Sequence, residues 1–353
     1  MALSADGCWV FVSLVNTEKG TTQSVAVLSH RNGRVDLVRT VPLPSRPAGL
    51  VLTHDGKLLI AAALDKVLFL DVVCLIAGCP KPVAGSFSDG KSTQSVYANV
   101  TSDDKWLFIS EETAYQITVI DLVRARQSGF HADAIVGKIP VGKSPIALTF
   151  SPDEKWLYTT SQGAAKEWGW PAACKAENRP KTPGLVNPEG AVVTIDVVRA
   201  TSDPAHAVVS RVPAGCSPVR LALSPSGDRV YVTARNSDAV LAFAADKLIS
   251  DPEHARLGQT AVGTAPVPIA VIHDGKTVVS GNSDRFGGAD AAQILTLLDA
   301  SKIGSPDAIM GAIPAGAFPR DLRVSPDGSI LYLTNFGSNS LQVMDVARLK
   351  SSR

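Results

Sequence analysis

Residues 319–345 read PRDLRVSPDGSILYLTNFGSNSLQVMD, and this stretch decides the fold. Two apolar segments, LRV (322–324) and ILYLTN (330–335), flank the turn signal Ser325-Pro326-Asp327-Gly328. A third segment, LQVMD (341–345), follows a Gly/Ser/Asn loop at 336–340. Period-two alternation marks half-buried strands, and Asp-Gly supplies a tight turn because glycine tolerates positive φ. Three short antiparallel strands with one open apolar face do not persist alone in water. Such a unit requires copies of itself.

The chain supplies them. The turn and its following strand recur as SADGCWVFVS from Ser4, THDGKLLIAA from Thr53, TSDDKWLFIS from Thr101 and SPDEKWLYTT from Ser151. They return as SPSGDRVYVT from Ser224, IHDGKTVVSG from Ile272 and SPDGSILYLT from Ser325. The spacing is about 50 residues, with longer gaps across the fourth and sixth copies. A period of that size, with four short strands per unit, is the signature of a β-propeller blade. Two-residue alternation excludes helical solenoids. Seven copies therefore predict an all-β, seven-bladed propeller of four-stranded antiparallel blades, one domain over residues 1–353.

SPDGSILYLTN and SPSGDRVYVTA resemble the YVTN-type propeller repeat, shared with the seven-bladed lactonase-like propellers. The resemblance covers nearly the whole chain. The matching residues are turn and core residues, so it implies the fold, and propellers host unrelated functions on one frame.

Each repeat divides into an inner strand (220–223 in the fifth copy), a second strand (229–233), a third (239–243) and an outer one near 258–262. An Ile-Pro-Val-Gly or Val-Pro-Ala-Gly connection then opens the next blade, as at 139–142 and 212–215. Antiparallel order places the Asp-Gly turns and third-to-outer connections on one face. The second-to-third loops and blade connections lie on the other, here called the top. Short helical turns are expected after Asp71, Asp121, Asp196 and Asp345. The seventh copy ends without an outer strand. Either that blade is three-stranded or residues upstream of Met1 once closed it, and protection of the sheet edge favours the second option.

Composition narrows the function classes. Of 353 residues, 45% are hydrophobic and 19% charged, which suits a large core and excludes extensive disorder. Lys plus Arg number 34 against 33 Asp plus Glu, so nothing favours nucleic acid as a partner. No apolar run reaches the length of a membrane span. Met1 is followed at once by a repeat, with no signal peptide in this chain. An extracytoplasmic location, periplasmic or secreted, is expected from the cysteines below, with the chain read as a mature or trimmed form.

The repeat also positions the candidates for chemistry. His54 and His273 fall in Asp-Gly turns, and His30, His131, His206 and His254 in third-to-outer connections. None reaches the top, so no metal, haem or other cofactor is expected. Cys74 and Cys79 flank a short loop, and Cys174 lies near Cys216 in the repeat frame. If the chain is exported, Cys74–Cys79 is expected to be bridged, and Cys174–Cys216 is a second bridge that the repeat frame permits. Five reduced thiols are the alternative, and Cys8 is left over as a buried residue of the second strand.

In the inner strands the third position varies from small to charged: Gly49, Tyr97, Ala147, Arg220, Pro268 and Asp321. Tyr97, Arg220 and Asp321 are candidates for a polar cluster at the channel mouth, with Arg46 and Arg320 nearby. Self-satisfied pairing of Arg220 with Asp321 is the plainer alternative. The top loops depart most from the repeat. Blade four inserts residues 161–190, with Trp168 and Trp170 suited to stacking on a ring. The same two rings could instead pin the insertion to the propeller. Blade six offers Asp284 and Arg285 in a Gly-rich loop, and blade three Glu111 and Glu112. Loops of this length are usually functional.

Two readings follow. One is a propeller binding a small molecule, a glycan or a protein partner at the top mouth of its central channel. The alternative is a lactonase-like hydrolase opening a cyclic ester. Glu111, Glu112, Asp284 or Asp321 would then be the base, and Arg220, Arg285 or Arg320 would steady the oxyanion. The top is expected to hold the binding concavity, and the opposite face to offer little.

Overall fold

Each Asp-Gly turn is a small hydrogen-bonded device. The computed structural model describes residues 1–15, 23–176, 184–284 and 293–349. In it the Ser/Thr hydroxyl donates to the aspartate two residues on, Thr53 to Asp55 at 2.6 Å and Ser151 to Asp153 at 2.7 Å. The same oxygen accepts from the first N–H of the next strand, Leu58 at 3.0 Å and Trp156 at 3.1 Å. A hydroxyl serves both roles at once, which is why six of the seven copies begin with Ser or Thr. Donation from Ser325 and Ser329 holds the Asp327 carboxyl down at about 2. Blade six begins with Ile272 instead, and His273 takes over. Its Nε2 donates to the Val346 carbonyl at 2.9 Å, and Nδ1 accepts from the Thr277 hydroxyl at 3.1 Å.

Gly328 fills the left-handed position of its turn at φ 74°. Asp104 holds the same position at φ 56°, a conformation that costs a non-glycine residue. Its carboxylate offsets that cost. It accepts from the N–H of His54 at 2.7 Å and of Asp55 at 2.8 Å, tying blade three's turn to blade two's.

The strands form seven antiparallel sheets, and the fold is a seven-bladed β-propeller. Six sheets have four strands. The seventh, Pro319–Val324, Ile330–Asn335 and Ser340–Asp345, has three among the described residues, the blade whose outer strand the sequence already left open. The chain divides into two compact units, residues 1–140 with 197–207, and residues 141–196 with 208–353. Blades one to three lie in the first unit and blades four to seven in the second.

Within the first unit, Leu58–Ala63 is buried along its whole length. Leu59 and Ala61 pack with Phe11, Val25 and Val27 of blade one. Leu58 and Ile60 pack with Val100, Leu107 and Ile109 of blade three. The second unit repeats the pattern. Val230 and Val232 meet Tyr158 and Val192 of blade four, while Tyr231 meets Ile269 and Val278 of blade six. Leu322, Leu331 and Leu333 of blade seven close on Val279 and Leu295. Half-buried strands were the expectation, but sheets stacked face to face bury the second strands on both sides. Each Leu or Ile so buried contributes roughly 1.5–3 kcal/mol.

The glycine of the blade connection has a steric cause. A Cβ on Gly263 would stand 2.5 Å from the Asn282 side chain, and one on Gly316 2.7 Å from Asn335. On Gly142 it would stand 2.8 Å from Ser161. In these blades the connection lies over the end of the second strand.

Helices are short. Val72–Ala77 and Leu122–Ser128 start where Asp71 and Asp121 accept from Cys74 N–H at 2.7 Å and Arg124 N–H at 2.8 Å. Helical turns also follow Asp196 and Asp345, as expected, and Asp246 and Asp299 as well. Cys74–Cys79 and Cys174–Cys216 are disulfides, with Cα separations of 4.9 and 5.7 Å. Cys8 is half-buried in the turn before its strand rather than within it.

Gly49 tests the stacking. Its Cβ would lie 2.7 Å from the Tyr97 Cα and the Val96 carbonyl, both backbone atoms. Gly49→Ala should lower unfolding free energy by roughly 1–3 kcal/mol in urea titrations, because the two first strands must part. An unchanged midpoint would contradict the close approach.

Candidate functional site

The variable third position of the inner strand is a β-bulge. Pairing with the second strand slips between Pro145 and Leu148, Pro218 and Arg220, Pro266 and Ile269, and Pro319 and Asp321. Bulges re-aim side chains and loosen the demand for an apolar residue there. A threonine of the second strand braces the bulge. Thr233 Oγ1 accepts from Arg220 N–H at 3.2 Å and donates to the Val267 carbonyl of the next blade at 2.9 Å. Thr160 does the same with Ala147 N–H and the Val219 carbonyl. The repeated Thr of YTT, YVT and YLT carried this signal.

In the second unit the bulges bring Arg220 and Asp321 into one electrostatic cluster with Arg323, which sequence reasoning missed. Arg323 lies two residues beyond Asp321 on the same strand, so both side chains leave the same face. Its Nε stands 3.6 Å from Asp321 Oδ2, and the Asp321 side chain is 14% exposed. Burial would push that carboxyl up. Nearby positive charge, Arg323 and Arg220 included, overrides burial and holds it well below the usual carboxylate range. Arg320, by contrast, is exposed, its guanidinium 5.5 Å from the Phe318 ring centroid.

The blade-four insertion is fastened to the connection that opens blade five, the blade of Arg220. Described are residues 161–176 and 184–190. Cys174 joins Cys216 in the connection to blade five, and Cys174 bridges Asn187 across the insertion. Glu189 accepts from Gly215 N–H at 3.2 Å. Trp168 lies against Gly142, with the Arg211 guanidinium 5.3 Å from its centroid and Trp170 at 5.3 Å. Arg235, 6% exposed and also missed from sequence, donates to Gln162 at 2.8 Å. Asp284 adopts φ 37° and donates its N–H to the Thr264 carbonyl at 3.1 Å. Arg285 lies outside the described residues.

In the first unit Tyr97 is half-buried on its inner strand. Glu111 is fully buried. Its Oε1 accepts from Lys138 Nζ at 2.8 Å and from the Thr118 hydroxyl, and its Oε2 accepts from Gln116 at 2.5 Å. Glu112 is half-buried, its N–H donating to the Gln94 carbonyl at 3.0 Å. His206 and His254 pair with Asp203 and Asp251 of their own turns at 3.0 and 2.9 Å.

One expectation about shape fails. An open cleft of about 320 Å³ lies at the Asp-Gly turn end of blades four and five, lined by Asp153, Trp156, Tyr158 and Asp246 among others. The turn face thus has concavity of its own, beside the close approach of Pro152 to Gly227.

Comparison with known proteins bears on the frame. A putative 6-phosphogluconolactonase from Bacteroides uniformis superposes with a TM-score of 0.69 at 16% identity, over 97% of this chain and 93% of that one. The periplasmic gluconolactonase of Pseudomonas aeruginosa gives 0.66 at 16%, over 96% and 92%. The fold is that of the lactonase-like propellers. Hydrazine synthase from Kuenenia stuttgartiensis superposes as well, 0.69 at 19% identity over 98% and 94%, so the likeness is one of fold alone. Neither a protein-family model nor a curated protein sequence matches the chain.

Two measurements check the geometry. Alkylation and mass measurement without reductant should find one free thiol, and Cys174→Ser should lower stability. Closing a loop with a sequence separation of 42 is worth roughly 4 kcal/mol in the chain-entropy model. Five free thiols would reject both bridges. Asp321 provides the second. A carboxyl held down in the folded state contributes stability above the unfolded value of about 3.9, lost as pH falls through the folded one. Asp321→Asn should therefore melt lower at pH 7, with the gap to the parent closing toward pH 3. A gap constant with pH would contradict the ion cluster.

Proposed function

We propose that this lactonase-like propeller binds a small molecule or glycan at the top mouth of its channel, beneath the blade-four insertion. The single-domain reading of residues 1–353, with 161–190 as a top-face insertion, goes with this proposal. One observation carries it: Arg220 and Asp321 sit at bulged inner-strand positions, with Arg323 two residues beyond Asp321, and a disulfide fastens the insertion to the connection that opens the blade of Arg220. Half-buried charge set at a bulge needs charged partners that an apolar residue would not, and binding is one reason to keep such a cluster. Trp170, half-buried beside Trp168, supplies an aromatic surface for a sugar ring.

Ring-opening hydrolysis is the other reading, and it needs a base. Asp321 is paired with Arg323, and both oxygens of Glu111 are occupied by Lys138, Thr118 and Gln116. A carboxylate held low and paired is a poor proton acceptor, which favours binding over turnover. The two disulfides support an extracytoplasmic location. Among the described residues, no helix is long and apolar enough to cross a membrane.

A thermal-shift screen of sugars, sugar acids and lactones tests the proposal, since a ligand raises the melting point whether or not it turns over. Arg220→Ala should weaken the best ligand about tenfold to a hundredfold, the loss of a charge-assisted hydrogen bond of roughly 1.5–3 kcal/mol. Unaltered affinity, with the fold intact, would move the site elsewhere.

A further inference from the structure

Two acids and one ammonium meet at the top of blades two and three. Asp89, in the connection between them, is 2% exposed, and Glu111 is fully buried. Lys138 Nζ donates to Glu111 at 2.8 Å, to the Thr118 hydroxyl at 2.7 Å and to the main-chain carbonyl of Asp89. The ammonium therefore neutralises Glu111 directly, but touches Asp89 only through its backbone. The Asp89 carboxyl meets hydroxyls alone, Thr93 Oγ1 at 3.0 Å and Ser95 Oγ. The charged groups that face it are Glu111 from the second strand of blade three and Lys138 from its outer strand. Two buried carboxylates against one ammonium would leave an uncompensated negative charge where water is excluded. Isolated buried charge is expensive enough that such a group takes up a proton instead.

We propose that Asp89 is an internal proton site that latches the connection between blades two and three, closed while the carboxyl is protonated and loosened when it ionises. The protonated carboxyl donates to one hydroxyl and accepts from the other, leaving the Lys138–Glu111 pair neutral overall. What it latches is the strand entry that carries Tyr97. Thr93 Oγ1 also lies 3.2 Å from the Leu64 carbonyl, Ser95 N–H bonds to that same carbonyl, and Thr113 N–H donates to the Thr93 carbonyl at 3.2 Å. Ionisation adds a charge beside Glu111 and weakens this knot from its centre. Burial first, then repulsion from Glu111, raises the carboxyl above its ordinary value, in keeping with the geometry.

The sign of the pH effect follows. A carboxyl raised by folding gives stability that is complete below its unfolded value and is lost as pH rises through the folded one. The test compares melting temperature and amide exchange of the full chain from pH 4 to 9 with those of Asp89→Asn, whose amide mimics the protonated carboxyl. The parent should lose stability relative to the variant as pH rises, and protection at 88–95, after correction for the intrinsic pH dependence of exchange, should fall in the parent alone. Should the variant fail to fold, the ¹³C carboxyl shift of Asp89 in the parent decides, titrating well above the exposed aspartates. Titration together with exposed aspartates, or a variant that is destabilised equally at every pH, would overturn the proposal.

Discussion

A strand such as Leu58–Ala63, with no side chain facing water, exists only between two other sheets. Its odd-numbered residues need blade one and its even-numbered residues need blade three. The same dependence links Tyr231 to blade six and Val232 to blade four. Apolar burial of this kind is non-directional, so direction has to come from elsewhere. It comes from the hydrogen-bonded turns at one end of the blades, hydroxyl–carboxylate in most and His273-centred in blade six, and the glycine connections at the other. Together they fix the register and the spacing at which neighbouring sheets meet.

That division of labour shows in which residues are free to vary. Where sheets press together, side chains are small or aliphatic and the backbone approaches closely, as Gly49 does to Tyr97. At the inner-strand bulge the ladder slips, a threonine holds the backbone, and the side chain is released from packing. Arg220 and Asp321 occupy that released position. The polar groups of the first unit are handled differently. Glu111 ends a second strand, where blade four has Ser161 and blade six Asn282, so its charge is buried and needs Lys138 from the outer strand.

Turns, strands and blade number were legible in the sequence because the turn with its following strand is a local device that returns in seven variants, six of them opening on Ser or Thr. Cys74–Cys79 was legible as a short-loop staple conditional on export, whereas Cys174–Cys216 was only permitted by the repeat frame, because the path of the insertion sets that distance. Burial on both faces was not legible in one copy, since it depends on neighbours that alternation does not reveal. Arg323, Arg235, Asp89 and Lys138 were missed for the same reason. Each sits at an ordinary strand or loop position, and only packing brings Lys138 to Glu111 or Arg235 to Gln162. The turn-end cleft escaped because concavity arises between blades rather than within one.

The central claim is that no sheet holds without its neighbours, and hydrogen exchange in increasing denaturant tests it most directly. Within the first unit, amides of Leu58–Ala63 and Trp106–Glu111 should lose protection at one denaturant concentration. Within the second, Arg229–Ala234, Thr277–Asn282 and Ile330–Asn335 should do likewise. A sheet that opens alone, well below the concentration that opens the sheets packed on it, would contradict the account.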